Sequence, residues 1–191
     1  MGRLGRNETG AARSIGLAAA LLVYAVVAVN QVGSARAIGG LCEGRPASHP
    51  WLDASGQPGP AIIEGTRGAD VIIGSDGNDT IYGNGGDDLI CGGPGNDNIN
   101  AGPGGDAVLD GGSGDDSIGT IGTVHSVTMI GGPGDDGPNV GDTLAPSYVS
   151  GGPGDDTLQH TGTGPPVKMD GGDGNDVCIA KGGDELVNCE R

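Results

Sequence analysis

Apolar residues recur every nine positions through the middle of the chain, each a few residues after a cluster of Gly and Asp. Four such nonapeptides run without a gap from Gly65, and they read GTRGADVII, GSDGNDTIY, GNGGDDLIC and GGPGNDNIN. The last three residues of each unit suit a short β-strand, because alternate strand residues share one face. The first six suit a turn. The pattern therefore predicts short strands and turns in strict alternation.

The pattern continues with wider spacing toward the C-terminus. AGPGGDAVL starts at Ala101 and is followed by one extra residue, Asp110, before GGSGDDSIG starts at Gly111. The motif then recurs three more times, the last at Gly171, and the last four motifs are 20 residues apart. Two nonapeptides make one coil of a solenoid, with two strands and two turns. The eighth, inward position holds Ile72, Ile81, Ile90, Ile99, Val108, Ile118, Leu158 and Cys178, with Pro138 as the misfit.

The composition excludes a conventional core of large apolar side chains. The 191 residues include 43 Gly, one Trp and no Phe, whereas average domains carry far less Gly. An acidic, Gly-rich stretch is more often a flexible linker than a folded domain. Strict nine-residue spacing with an apolar residue at a fixed phase favours the folded repeat.

The charge of the chain points to cations as its partners. The formal net charge is −16, and without residues 1–37 the chain keeps 24 acidic and five basic residues, a net charge of −19. Nucleic acids and anionic membranes are polyanions, so both are excluded as natural partners.

The N-terminus resembles an export signal. Three Arg residues precede an apolar stretch at 15–29, and Ala35-Arg36-Ala37 follows it as an A-x-A cleavage pattern. We expect residues 1–37 to be a signal peptide and the protein to be secreted. A permanent membrane anchor is the alternative, although 15 apolar residues fall short of the ~20 that span a bilayer. A lipoprotein is disfavoured, because Leu41 stands where a small residue should precede a lipidated Cys42.

We expect three segments after the signal peptide. An N-terminal cap covers residues 38–60, with Trp51 packed on the first coil, because solenoids need capped ends. The repeat region covers residues 61–179, and a C-terminal cap covers residues 180–191.

The turn motif has the chemistry of a calcium site. Glycines allow positive φ and bring backbone carbonyls close to an ion, and the Asp at position six adds an anionic oxygen. Calcium accepts six to eight oxygen ligands from carboxylates and carbonyls together.

These residues resemble the RTX family of hemolysin-type calcium-binding repeat proteins. The resemblance implies an all-β fold, a parallel β-roll, with calcium held between turns stacked on the same edge. By position, the implied carboxylate ligands are Asp70, Asp79, Asp88, Asp97, Asp106, Asp116, Asp136, Asp156 and Asp176. The implied carbonyl donors are the glycines of the same turns, Gly74, Gly77, Gly83, Gly86, Gly92, Gly93, Gly95, Gly111, Gly112, Gly114, Gly131, Gly132, Gly134, Gly151, Gly152, Gly154, Gly171, Gly172 and Gly174.

Alternation of the strands places successive turns on opposite edges of the roll. Turns that begin at 65, 83 and 101 share one edge, and turns that begin at 74, 92, 111, 131, 151 and 171 share the other. One ion between each pair of neighbours predicts two and five ions, about seven in all. Three turns without the motif, at 120–126, 140–147 and 160–166, are expected to have lost their sites.

The four cysteines predict two disulfides. An even count in an exported chain favours disulfides, and zinc binding would favour a C-x-x-C spacing, which does not occur. We expect Cys42 to pair with Cys91, and Cys178 with Cys189. Either other pairing would link parts of the roll that lie about 20 Å apart at the strand spacing, beyond the reach of a disulfide.

The favoured function is non-enzymatic calcium binding outside the cell. The alternative is an adhesion or surface-binding solenoid, for ice or for a matrix, although the outward strand positions show no regular Thr or aromatic ladder. A hydrolase or lyase is disfavoured, because the sequence lacks a G-x-S-x-G or H-E-x-x-H motif. His49, His125 and His160 are interpreted as surface or loop residues.

Overall fold

A computed structural model describes residues 41–49, 52 and 54–190 of the chain. The expected signal peptide with its cleavage site, and Trp51, lie outside these residues. Within the described part, no helix has the length and apolarity needed to cross a bilayer. The regular structure there consists of short β-strands.

The strands follow one another through tight turns, as the nine-residue period predicts. In chain order they are β1 (Leu41–Cys42), β2 (Arg45–Pro46), β3 (Ile62–Glu64), β4 (Val71–Ile73), β5 (Thr80–Tyr82), β6 (Leu89–Pro94), β7 (Asn98–Asn100), β8 (Gly104–Ser113), β9 (Ser117–Gly119), β10 (Val124–Ile130), β11 (Asn139–Val140), β12 (Ser147–Pro153), β13 (Thr157–His160), β14 (Val167–Asp173), β15 (Val177–Ile179) and β16 (Glu185–Val187).

The chain alternates between two parallel sheets. Strands β3, β5, β7, β9, β11, β13 and β15 form one sheet, the odd sheet, and β4, β6, β8, β10, β12, β14 and β16 form the even sheet. Neighbours in each sheet are one coil apart, so that Ile63 pairs with Ile81 and Ile81 with Ile99. This arrangement is a parallel β-solenoid, and it confirms the predicted all-β roll.

The core is a stack of inward side chains between the two sheets. Ile99 and Ile118 lie in register in the odd sheet, and Leu109 and Met129 lie in register in the even sheet. None of the four is more than 1% exposed. Each coil adds little apolar surface, and stacking joins these contributions into one continuous core.

Both predicted disulfides are confirmed. Cys42 is bonded to Cys91 and Cys178 to Cys189, with a Cα–Cα distance of 5.7 Å in each pair. The first disulfide lies in a second, smaller apolar cluster formed by the N-terminal segment with β4 and β6. The buried members of this cluster are Cys42, Val71, Ile73, Leu89 and Cys91.

The N-terminal segment also bonds to the edge strand of the even sheet. The backbone N–H of Ser48 donates to the carbonyl of Val71 over 3.0 Å, and that of Ala54 donates to the carbonyl of Ile73 over 2.9 Å. An open parallel edge would leave these carbonyls unpaired and would offer a template for aggregation. The segment thereby covers part of the first coil.

The fifth repeat differs from the prediction by one residue. Leu89 pairs with Val108 and Ile90 with Leu109, so Leu109 faces the core and is fully buried. Val108, which was predicted to face inward, is partly exposed. The extra residue is therefore accommodated before the inward position of the repeat, in the first residues of β8, rather than after the strand as the motif suggests. This shift places the larger side chain in the core.

Candidate metal centre

The two edges of the roll carry different turns. Turns that lead from the even sheet to the odd sheet keep the acidic motif along the whole roll, and we call them the long edge. Turns in the opposite direction, the mixed edge, keep it only near the N-terminus. The turns of the long edge begin at residues 74, 92, 111, 131, 151 and 171, as the alternation of strands predicts.

Aspartates at position six of the motif form a ladder of hydrogen bonds along the long edge. The backbone N–H of Asp97 donates to Oδ1 of Asp116, and that of Asp116 donates to Oδ1 of Asp136, each over 2.7 Å. These side chains are no more than 3% exposed. The same bond joins Asp79 to Asp97, Asp136 to Asp156, Asp156 to Asp176 and, on the mixed edge, Asp70 to Asp88.

The second oxygen of most ladder carboxylates has no partner within the part of the chain that the structure describes. These buried Oδ2 atoms accept no hydrogen bond from the described residues. A buried polar atom left unpaired costs ~1–3 kcal/mol, and more when it is charged. A bound cation or a proton removes this cost. The six atoms are Oδ2 of Asp88, Asp97, Asp116, Asp136, Asp156 and Asp176.

Each of these oxygens lies beside the first glycine of its own turn and a carbonyl of the next turn. A Cβ on Gly111 would lie closer than 3.0 Å to both Asp116 Oδ2 and Gly131 O. Gly131 O accepts one hydrogen bond, from the N–H of Gly112 over 3.1 Å, and a carbonyl oxygen has two lone pairs. Carboxylate and carbonyl oxygens from neighbouring turns thus converge on a space that only glycine leaves open.

This donor set suits calcium. Calcium takes oxygen ligands from carboxylates and backbone carbonyls in flexible geometries. No cluster of three or more His, Cys, Asp or Glu side chains that could hold a metal occurs among the described residues. The ligands in each turn therefore have to come largely from the backbone, as the Gly-rich motif indicates.

Glycines at positions two and four of the motif adopt conformations that other residues rarely adopt. On the long edge, Gly112 has φ 110° and Gly114 has φ 123°, and the turns that begin at 92, 131, 151 and 171 repeat this pair. The turns then stack through their backbones. The N–H of Gly134, for example, donates to the carbonyl of Pro153 over 2.9 Å.

Burial changes the acidity of the ladder carboxyls. Desolvation raises the pKa of Asp97 and Asp116 to about 7, although a backbone hydrogen bond to each acts in the opposite direction. For Asp136, desolvation together with the charges of Asp116 and Asp156 raises the pKa to about 8. The pKa of Asp156 rises to about 6 for similar reasons. Without a cation, these groups hold protons far above the usual range for Asp.

The first motif turn on each edge differs from the rest. Oδ2 of Asp79 accepts a hydrogen bond from the N–H of Ser75 over 2.5 Å, and Oδ1 accepts from the Ser75 hydroxyl over 2.6 Å. Oδ2 of Asp70 accepts from both the N–H and the hydroxyl of Thr66. Position two of the motif is a hydroxyl residue in these two turns only. The protein itself satisfies these two carboxylates, although the sequence predicted both as ligands.

Asp106 does not reach the position predicted for it. Because the fifth repeat is shifted, Ala107 is the buried residue at that level, and the Asp106 side chain is 49% exposed. Its Oδ1 lies 2.6 Å from Nδ1 of His125 and accepts a hydrogen bond from the Ser126 hydroxyl over 2.6 Å. The structure brings eight of the nine predicted ligand aspartates into register and leaves Asp106 outside the set.

C-terminal to the Asp106 turn, the turns of the mixed edge are joined by hydrogen bonds between side chains and backbone. Oδ1 of Asp142 accepts from the N–H and the hydroxyl of Thr163 over 2.6 and 2.9 Å. The N–H of Gly141 donates to the Thr120 hydroxyl over 3.0 Å. On this part of the mixed edge, neutral and single-carboxylate contacts stand where the long edge has paired carboxylates.

His160 is buried, and its prediction as a surface or loop residue was wrong. It is 4% exposed at the end of β13, and its Nδ1 lies 3.0 Å from Oδ2 of Asp184. The side chain of Asp184 also accepts hydrogen bonds from the N–H groups of Val167 and Lys181. Period-two alternation after Leu158 is the sequence signal that indicates the inward side chain of His160. His125 is exposed as predicted.

Comparison with known proteins agrees with this geometry. The sequence model of one protein family, the RTX calcium-binding nonapeptide repeat, matches this chain in four copies, at residues 64–99 and 168–184. No curated protein and no solved structure matches the chain. The matched residues include motif turns from both ends of the long edge, where the paired carboxylates lie. The chain therefore contains RTX calcium-binding nonapeptide repeats at residues 64–99 and 168–184.

Proposed function

We propose that this protein is a secreted calcium-binding β-roll that folds when calcium binds and has no catalytic activity of its own. The observation that carries the proposal is a set of six buried Oδ2 atoms, five on the long edge and one on the mixed edge, without a hydrogen-bond partner among the described residues. Each lies beside a carbonyl of the neighbouring turn. A divalent cation satisfies both oxygens and neutralises the charge that burial makes unfavourable.

Folding is expected to depend on calcium, because the charges of the chain oppose stacking of the turns. The chain without residues 1–37 carries a net charge of −19, and neighbouring strands in a sheet lie about 4.8 Å apart. Each coil contributes only a few apolar side chains to oppose this repulsion. Binding free energy therefore becomes folding free energy, as in other small metal-dependent domains.

We propose about six ions rather than the seven expected from motif counting. The first turn on each edge satisfies its carboxylate with a hydroxyl, which removes two of the seven expected sites. One further site, after the last motif, is argued below. We expect affinities of ~10⁻⁴–10⁻³ M per site, the range of extracellular calcium modules. The proposed carboxylate ligands are Asp88, Asp97, Asp116, Asp136, Asp156 and Asp176.

The cysteine chemistry supports an extracellular location. All four cysteines are paired, and the described residues contain no free thiol. Such bonds form and persist in oxidising compartments. Together with the predicted signal peptide, they favour export of the chain before it folds. Calcium at a millimolar concentration would then occupy at least about half of the sites at the expected affinity.

The direct test is far-UV circular dichroism of the purified chain with calcium and with a chelator. We expect a β spectrum with calcium that is largely lost on chelation and recovered when calcium is returned in excess. Magnesium at the same concentration is the control, because it demands a near-octahedral geometry and retains its waters. An unchanged β spectrum in excess chelator would contradict calcium-dependent folding.

Surface binding is a second candidate, supported by the outer face of the odd sheet. A shallow depression there is lined by amide side chains, including Asn98, Asn100, Asn139 and Gln159. Amides suit the hydroxyl groups of polysaccharides, because they donate and accept hydrogen bonds. Sedimentation of the calcium-loaded chain with insoluble polysaccharide tests this function. A double variant, Asn98→Ala with Gln159→Ala, should abolish any true binding.

A further inference from the structure

The C-terminal segment lies where the next turn of the long edge would lie. The last motif turn ends at Asp176, and beyond it Glu190 forms a parallel bridge with Val177. The N–H of Glu190 donates to the carbonyl of Asp176 over 2.6 Å. One coil earlier, the N–H of Val177 donates to the carbonyl of Asp156 over 2.8 Å. The backbone of Glu190 thus takes the place of the residue that follows a ligand aspartate.

The Glu190 carboxylate takes the place of the missing aspartate. The N–H of Asp176 donates to Glu190 Oε2, just as the N–H of Asp156 donates to Oδ1 of Asp176 over 2.9 Å. In register with the preceding coil, the backbone of Glu190 lies one position C-terminal to the position that the aspartate takes in a regular turn. Its side chain is one methylene longer, and this extra length brings the carboxylate back into the ladder.

A carbonyl completes the resemblance to the regular sites. A Cβ on Gly171 would contact both Asn188 O and Asp176 Oδ2. In the preceding turn, a Cβ on Gly151 would contact Gly171 O and Oδ2 of the ladder aspartate of that turn. Asp176 is fully buried, and its Oδ2 has no partner among the described residues.

We infer that Asp176, the carbonyl of Asn188 and the carboxylate of Glu190 form a terminal calcium site beyond the last repeat. The inference rests on the proposed calcium-binding function and assigns it one site that no motif contains, since the repeat match ends at residue 184. The Cys178–Cys189 disulfide holds the segment against β15, so that Glu190 is positioned before an ion arrives. The ion closes the open end of the long edge.

The test compares the calcium stoichiometry of the full chain with that of Glu190→Gln by equilibrium dialysis and calorimetric titration. Gln keeps the acceptor oxygen for the N–H of Asp176 and removes the charge that a cation needs. We expect Glu190→Gln to bind one ion fewer per chain. Amides of residues 187–190 should lose their calcium-dependent protection from hydrogen exchange, while protection of the other coils remains.

Two controls separate the possible outcomes. Glu185→Gln removes the same charge from an exposed side chain, whose partner Lys168 lies 3.5 Å away on the even sheet, and it should keep the full stoichiometry. If the wild-type chain binds no calcium, the proposed function fails. If the wild-type chain binds calcium and Glu190→Gln binds as many ions, with the terminal amides still protected, the terminal site is overturned and the proposed function stands.

Discussion

The backbone N–H of Asp116 donates a hydrogen bond to Oδ1 of Asp136, 2.7 Å away in the next turn of the long edge. This bond fixes one oxygen of the carboxylate, whereas Oδ2 has no hydrogen-bond partner among the described residues. A second ladder runs beside it at position five, where the N–H of Asp135 donates to Oδ1 of Asp115 over 3.0 Å. The two ladders run in opposite directions. The inner one is buried, whereas the outer one is exposed to solvent.

The neighbouring residues Asp135 and Asp136 therefore make a matched pair for testing the calcium ligands. Asp136→Asn keeps the size and one acceptor oxygen of a buried side chain but removes its charge. We expect it to lose one or two ions per chain by calorimetric titration, because the residue lies between two sites. Asp135→Asn should bind the full number, since the outer ladder already contains Asn96 and Asn175. Equal losses in both variants would contradict the assignment of the inner ladder.

Filling the space beside a ladder carboxylate should remove one ion without removing any charge. A Cβ on Gly111 would lie 2.7 Å from Gly131 O and closer still to Asp116 Oδ2. Gly111→Ala should lose one ion and destabilise the calcium-loaded fold by about 1–3 kcal/mol, the usual cost of overpacking. Gly119→Ala is the control, because the nearest atom to its Cβ is 3.5 Å away. Urea unfolding in excess calcium compares the two variants, and similar losses in both would argue against a tight cradle.

Without calcium, the stability of the fold should change with pH in the opposite direction to that of most proteins. Desolvation raises the pKa of Asp97 and Asp116 from 3.8 to about 7, and that of Asp136 to about 8. The folded state therefore binds more protons than the unfolded state between pH 4 and about 8. Its stability is fully present below pH 4 and falls as the pH rises through these values.

Calcium-stripped chain should accordingly show more β structure at pH 5 than at pH 8 by circular dichroism. Calcium affinity should change in the other direction and weaken as the pH falls below about 7, because protons compete for the same oxygens. A calcium-free β signal that grows with rising pH would refute the proposed burial of charged carboxylates.

Much of this architecture was predictable from the nine-residue period. The period locates the strands, the inward isoleucines, the two edges and the inward position of Cys178. It did not place the extra residue of the fifth repeat, because Val108 and Leu109 are both apolar and either one suits the inward position. Packing in the folded coil favours Leu109, the larger side chain, at the inward position. The resulting shift exposes Asp106 to solvent.

The features that the sequence did not reveal depend on contacts between distant residues. The buried partner of His160 is Asp184, which follows 24 residues later, and no motif relates the two. Glu190 was not predicted as a ligand, because the C-terminal segment joins the aspartate ladder of the long edge without forming a motif turn. The hydroxyls of Thr66 and Ser75 occupy a position where the motif prefers glycine, and only the structure shows that they satisfy a carboxylate.

The two disulfides should differ in their effect on calcium binding. Replacing Cys42 and Cys91 by Ala opens a bridge with a sequence separation of 49, and replacing Cys178 and Cys189 opens one with a separation of 11. Loop-closure entropy gives losses of about 4 and about 3 kcal/mol, measurable by urea unfolding in excess calcium. The first double variant should keep every ion. The second should lose the terminal ion, and unchanged stoichiometry there would show that the disulfide does not position Glu190.

Asp184 should be the main polar anchor of the C-terminal coil. Burial alone would raise the pKa of its carboxyl, but hydrogen bonds from the N–H groups of Val167 and Lys181 and from His160 outweigh burial and lower it. Asp184→Asn replaces one acceptor oxygen by a donor that faces another donor. We expect a loss of about 2 kcal/mol, typical of a hydrogen bond to a buried charge. The loss should concentrate in β16.

Hydrogen exchange of the β16 amides in excess calcium measures this local loss. The control is Asp173→Asn, an exposed acid in the last motif turn, which should leave the exchange of β16 unchanged. Because the pKa of Asp184 is lowered in the fold, its contribution is present above pH 3.8 and disappears as the pH falls through the folded value. The hydrogen-exchange rates of the β16 amides in the wild-type chain should therefore approach those in Asp184→Asn only in strong acid. Convergence of the two already at pH 6 would show that the carboxylate does not anchor the coil.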